Sequence, residues 1–190
     1  MIVGILALQG AFIEHKHKLD KLNIKSFYIR NKDDLLKPKD GLILPGGEST
    51  AMYKLLVELN MKDLLISQIE SGLPTFGTCA GMILLAKHIT NQDNTFLKVM
   101  DIKVTRNGYG RQSASFIIWH EFDGKKIPMT FIRAPFIESV SDQVLTLSIH
   151  DQKIVAARQD NMLVTSFHPE LSNDLYIYHY FIDIIKSNTL

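Results

Sequence analysis

The stretch Pro74-Thr75-Phe76-Gly77-Thr78-Cys79-Ala80-Gly81-Met82 carries most of the information about this chain's architecture. It reads as a short apolar strand, a tight turn and the start of a helix that runs from Met82 to Lys87. Glycines on both sides of a central nucleophilic residue are the pattern of a strand-to-helix elbow, where a side chain at either flank would clash. The turn places Cys79 at the head of a helix, where unpaired backbone N–H groups and the helix dipole favour a thiolate. A lone cysteine is commonly only a small buried hydrophobe. Strand before, helix after and glycine on both sides favour the reactive reading.

Working outward, Ile2 to Leu8 is continuously apolar and stops at Gln9-Gly10, as a central parallel strand covered on both faces would. Phe12, Leu19 and Leu22 share a helical face, and Ser26 to Ile29 is the next strand, completing one βαβ unit. Gly41 to Leu44 is a third strand running into Pro45-Gly46-Gly47. Helical spacing follows over Ser49 to Leu59, and a further helix over Asp63 to Ser71 stops at Gly72. Beyond Phe96 the texture changes to short β-like runs at 98–105, 115–119, 129–132, 144–149, 154–158 and 162–167, with turns at Asp123-Gly124 and Asp160-Asn161. A last amphipathic helix, Leu175 to Ser187, has Asp174 or Asn173 available as its cap. The expected fold is α/β: a flavodoxin-like three-layer α/β/α sandwich with a mostly parallel central sheet and added antiparallel strands, in one domain spanning 1–190.

The 190 residues, 46% apolar and 22% charged, suit one domain with a sizeable core. A net charge of +1 gives no electrostatic reason to expect nucleic acid or an anionic membrane. The single cysteine cannot form an internal disulfide, and the N-terminus lacks the pattern of a secretory signal, so a cytoplasmic location is expected. The apolar opening is shorter than the roughly 20 residues a membrane-spanning helix needs. Metal-ligand spacing, a phosphate-binding loop and a dinucleotide fingerprint are all absent, so no cofactor and no metal are expected.

Phe167-His168-Pro169-Glu170 follows the late strand, which places His168 and Glu170 at a strand end, where open α/β sheets carry their sites. His168 can take a proton from Cys79 and return it to a leaving group, while Glu170 fixes its tautomer and stabilises the imidazolium. The other six histidines, His15 among them, read as surface or packing residues. Leu44-Pro45-Gly46-Gly47-Glu48-Ser49-Thr50 is either an ordinary βα turn or one that aims backbone N–H groups at an anion. It lacks the second glycine of a serine elbow, which leaves Cys79 as the nucleophile.

These motifs resemble the triad-type glutamine amidotransferases, which share a glycine-flanked cysteine and a late His-Pro-Glu. Within them the chain closely resembles the glutaminase subunits of pyridoxal 5′-phosphate synthases. That likeness rests on 6–11 (LALQGA), 44–50 (LPGGEST), 77–82 (GTCAGM), 106–112 (RNGYGRQ), 131–135 (FIRAP) and 167–171 (FHPEL). The resemblance implies Cys79, His168 and Glu170 as the triad, with L-glutamine bound by Gly47, Glu48, Ser49, Arg106, Ile132 and Arg133. Glu48 suits the substrate ammonium, and Arg106 or Arg133 its carboxylate. Amides of Gly47 and Ala80 are expected to form the oxyanion hole, with Gln9 and Gly46 as an activation switch. The implied partner is a (β/α)8-barrel synthase in a multi-subunit hetero-oligomer that consumes the ammonia. The motifs also leave open a γ-glutamyl hydrolase or cysteine peptidase on the same fold, or a thiol redox sensor or chaperone.

Overall fold

The computed structural model describes residues 1–108 and 115–188. The first half alternates strand and helix: β1 (Ile2–Leu6), α1 (Phe12–Lys21), β2 (Lys25–Ile29), α2 (Lys32–Leu36), β3 (Gly41–Leu44), α3 (Ser49–Glu58), α4 (Lys62–Glu70), β4 (Thr75–Thr78) and α5 (Ala80–Leu85). The second half is mostly strand: β5 (Ala86–Ile89), β6 (Met100–Thr105), β7 (Ser115–Phe122), β8 (Lys125–Ile132), β9 (Phe136–Val140), β10 (Leu145–His150), β11 (Lys153–Gln159) and β12 (Met162–Thr165). A 3-10 turn (Pro169–Leu171) and α6 (Tyr176–Asn188) close the chain.

The main sheet has the order β2-β1-β3-β4-β12-β11-β9-β6-β5, with β10 paired to β11. Its first five strands form an all-parallel block, whereas β12, β11, β9 and β6 pair antiparallel in succession. Strand periodicity divides the core between the two faces. Leu42 and Leu44 of β3 join Met52, Leu56 and Leu65 from α3 and α4, while Ile43 turns to the other face with Leu19, Tyr178 and Phe181. That is the expected three-layer sandwich. The separate β7–β8 ribbon sends Phe122, Met129 and Phe131 into the α1/α6 core.

Because β1, β3, β4 and β12 are adjacent and parallel, the loops after their C-terminal ends converge along one margin of the sheet. Those loops carry Gln9, Gly46, Cys79 and His168.

Local structure departs from the sequence reading in several places. The helix expected to reach Lys87 ends at Leu85, because Ala86 turns extended (ψ 135°) and residues 86–89 pair in parallel with β6. The first strand ends at Leu6, although the Ala7 N–H still donates to the Ile29 carbonyl at 2.9 Å. Neither α2, capped by the Asn31 side chain on the Asp34 N–H, nor β9 stands out in the sequence pattern. Both expected turns are present: Asp123 and Gly124 have φ of 46° and 77°, suiting a tight hairpin, and Asp160 has φ 49°. The last helix starts at Tyr176, whose N–H is met by Asp174 Oδ1 at 2.7 Å. No helix among the described residues is long and apolar enough to cross a membrane.

Candidate active site

Cys79 sits between β4 and α5 with φ 48° and ψ −97°, a conformation that L-residues rarely adopt. Its N–H donates to the Thr165 carbonyl of β12 at 2.8 Å, so the neighbouring strand holds the strained residue in place. The flanking glycines are required by close approach. A Cβ on Gly81 would lie 2.1 Å from the Leu44 carbonyl oxygen, and one on Gly77 would lie 2.8 Å from the Gly81 carbonyl carbon. The thiol is 8% exposed, reachable but largely desolvated.

His168 leaves the end of β12, and its N–H donates to the Thr130 carbonyl of β8 at 2.8 Å. The ribbon thus braces the imidazole from the far side. Nδ1 meets Glu170 Oε1 at 2.6 Å across the 3-10 turn begun by Pro169, which leaves Nε2 as the ring nitrogen available to the Cys79 thiol. Burial would depress the imidazole, but hydrogen bonds with Cys79 and Glu170 and the Glu170 charge outweigh it, raising the pKa to about 10. Burial would likewise raise the Glu170 carboxyl, yet the His15 and His168 imidazoles hold it below the usual carboxylate range. The three side chains form a thiol–imidazole–carboxylate relay with His168 poised as imidazolium.

The turn after β3 lies against this relay. A Cβ on Gly46 would fall 2.4 Å from His168 Cε1. The Gly46 carbonyl accepts from the Ala11 N–H at 2.9 Å, and Gln9 Oε1 accepts from the Glu48 N–H at 2.7 Å. In a trans peptide the Gly47 N–H points opposite the Gly46 carbonyl. Among the described residues neither that amide nor the Ala80 amide, at the first position of α5, donates to a protein acceptor.

Glu48 caps α3, accepting from the Thr50 and Ala51 N–H groups at 3.1 and 2.6 Å, and also pairs with Arg106 at 3.2 Å. Its slight burial opposes ionisation, but those N–H groups and the guanidinium win and depress its carboxyl. Ser49 is 2% exposed and its hydroxyl has no partner among the described residues. The Gly108 N–H donates to the Ala134 carbonyl at 2.9 Å, which brings the Arg106 segment beside Ile132 and Arg133. Arg133 is exposed, with φ 42° and no ion pair among the described residues, and Ile132 is 37% exposed. Tyr109, Gly110, Arg111 and Gln112, the rest of the motif at 106–112, lie outside the described residues.

The structure therefore joins Cys79, His168, Glu170, Gly46, Gly47, Gln9 and Ala80 closely, and Glu48 with Arg106. Ile132 and Arg133 are linked to that group only through the backbone. Sequence reading missed Thr130 and also His15, a fully buried residue touching Glu170. His15 lies three residues after Phe12 and four before Leu19, so the apolar face of its helix could have flagged its burial. Among the described residues no three His, Cys, Asp or Glu side chains could hold a metal.

A relative from Streptococcus pneumoniae (strain CGSP14), named pyridoxal 5′-phosphate synthase subunit PdxT, is 55% identical over 190 residues, covering 98% of each chain. One of the same name from Haemophilus influenzae (strain PittEE) is 55% identical over 98% of this chain and 99% of its own. A crystal structure described as a glutamine amidotransferase superposes with a TM-score of 0.92 at 40% identity, covering 98% of this chain and all of the other. A glutamine amidotransferase from Thermotoga maritima, at TM-score 0.63 and 15% identity over 98% of this chain and 84% of its own, shares the fold alone. The family model for the SNO glutamine amidotransferases matches residues 5–187, and the chain belongs to that family.

Proposed function

We propose that this chain hydrolyses the side-chain amide of L-glutamine to L-glutamate and ammonia, as the glutaminase subunit of a pyridoxal 5′-phosphate synthase. The observation that carries the reading is the relay from Cys79 through His168 to Glu170, set beside two backbone amides without protein acceptors. The Cys79 thiolate adds to the amide carbon, and the Gly47 and Ala80 N–H groups hold the oxyanion. His168 protonates the departing nitrogen, so ammonia leaves and a γ-glutamyl thioester remains. His168, now neutral, takes a proton from water. The resulting hydroxide attacks the thioester carbon, and the thiolate and glutamate are regenerated.

Glu48 faces the substrate ammonium, Arg106 or Arg133 its carboxylate, and Ser49, with its unpartnered hydroxyl, and Ile132 complete the binding surface. Ammonia is mostly protonated in neutral water and then no nucleophile. Release therefore has to be coupled to consumption by a docked (β/α)8-barrel synthase in a hetero-oligomer. Gln9 and Gly46 form the switch, because a flip of the Gly46–Gly47 peptide reverses which way the Gly47 N–H points. A nucleophilic thiol must stay reduced, which suits the cytoplasm. A redox sensor or chaperone would leave the His168–Glu170 pair without a task.

In complex with the synthase, Cys79→Ala should lower glutamate release at least about 10³-fold. Near-normal turnover in that variant would refute the reading.

A further inference from the structure

Glu170 has two oxygens, and the relay uses one. Oε1 meets His168, while Oε2 is buried with no hydrogen-bond partner among the described residues and lies 3.7 Å from His15 Nε2. A buried carboxylate oxygen without a partner is costly unless a donor faces it. His15 Nε2 faces that oxygen from beyond hydrogen-bond length, close enough for the dipole of a ring N–H to act on the charge. Its Nδ1 lies 2.8 Å from the Tyr178 hydroxyl and its Nε2 lies 3.2 Å from Thr78 Oγ1, the residue before the nucleophile.

The tautomer follows from the neighbours. Burial, and then the Glu170 charge, push the Tyr178 phenol well above its usual range, so it remains a donor. It donates to Nδ1, which puts the His15 proton on Nε2, facing Thr78 and Glu170. Burial first, and then the His168 and Lys18 charges, lower the His15 pKa against the opposing pull of Glu170 and Glu14. His15 therefore meets Glu170 as a neutral N–H dipole, leaving the full carboxylate charge for His168. Its helix is tied to the same turn again one turn on, where Lys18 Nζ donates to the Ser172 carbonyl.

We propose that His15 is a positioning residue for glutamine hydrolysis: its Nε2–H, oriented by Tyr178, restrains the free oxygen of Glu170 and so aims the acid at His168. This rests on the glutaminase reading.

The test measures kcat and KM for glutamine in the complex with the synthase, using Cys79→Ala, His15→Leu, His15→Gln and Tyr178→Phe. His15→Leu should lower kcat about tenfold to a hundredfold, the scale of a misplaced catalytic group, with KM within about twofold. His15→Gln should recover most of that loss, because its amide N–H reaches toward the place of Nε2–H. Tyr178→Phe should lower kcat about threefold to tenfold, since packing stays and only the tautomer lock goes. Unchanged kcat in His15→Leu beside an inactive Cys79→Ala overturns the proposal, as does an equal loss in His15→Leu and His15→Gln. If His15→Leu does not fold, Tyr178→Phe decides, and wild-type kcat there overturns it. Turnover persisting in Cys79→Ala is a separate signature: the glutaminase reading fails, and the role of His15 falls with it.

Discussion

Cys79 and His168 are each 8% exposed and Glu170 3%, while Glu48, Ile132 and Arg133 stand in solvent. The buried group hangs on the parallel block: β4 and β12 deliver the thiol and the imidazole, and backbone hydrogen bonds to Thr165 and Thr130 fix both. The exposed group sits on the turn after β3 and on the antiparallel half, where Arg106 pairs with Glu48 and Arg133 stands at the end of β8. Chemistry tolerates small displacements poorly, so its residues belong on rigid strand ends. Recognition of a flexible amino acid tolerates more. Substitutions in the first group should therefore act on kcat and stability, and substitutions in the second on KM.

The severest challenge to that division is Glu170→Gln. The amide can present N–H to His168 Nδ1, which forces the neutral imidazole proton onto Nε2 and removes the base that faces the thiol. A kcat about 10⁴-fold lower is expected, by analogy with triads whose acid is replaced by its amide. The His168 titration, followed by NMR, should drop from about 10 toward 6.5 as the Glu170 hydrogen bond and charge are lost. The sign for stability follows. A histidine whose folded pKa is raised contributes stability that is complete below its unfolded value of 6.5 and is lost as pH rises through about 10. The variant should lose part of the wild-type stability at pH 6 and converge on wild type above pH 10. If kcat is retained, the buried group is not the chemical half.

Gly81→Ala probes the same half through shape alone. The added Cβ would stand 2.1 Å from the Leu44 carbonyl oxygen, and that atom belongs to the β3 backbone, which cannot swing aside like a side chain. Overpacking of this kind costs about 1 to 3 kcal/mol, measurable by denaturant unfolding. With the elbow displaced, kcat should fall about a hundredfold. Unaltered stability would mean that the β3–elbow contact is looser than the geometry shows.

The parallel half was also the legible one. Apolar runs such as Ile2 to Leu6 and Gly41 to Leu44 are what strands covered on both faces require, and each ends in a glycine-containing turn whose task is local. The antiparallel half hides its pairing. In β9, Glu138 and Ser139 are solvent-facing neighbours that interrupt any alternation. Ala86 and Lys87 read as the tail of an apolar helix because nothing between residues 82 and 87 marks a boundary; the switch to strand comes from pairing with β6. The proposed triad could be picked out because Gly77 to Gly81 and Phe167 to Glu170 are contiguous motifs. The Tyr178–His15 hydrogen bond spans 163 residues and the Thr130–His168 brace joins separate strands, so only the folded chain brings them together.

Arg106→Ala offers the finest test, because it touches the recognition group where it approaches the rigid one. Arg106 bonds Glu48 Oε1, yet Glu48 is also held by the Thr50 and Ala51 N–H groups, so the carboxylate should keep its place when the guanidinium is removed. The ion pair is partly exposed, 28% and 51% for the two side chains, so its loss should change stability by less than about 1 kcal/mol. A hydrogen bond from a guanidinium to the substrate carboxylate contributes about 1.5 to 3 kcal/mol, which would raise KM for glutamine roughly tenfold to a hundredfold. The kcat should stay within about threefold, since no hydrogen bond of Arg106 reaches Cys79 or His168 among the described residues. A fall in kcat at constant KM would place Arg106 with the chemical group, and the line between rigid and recognising halves would have to move inward to Glu48.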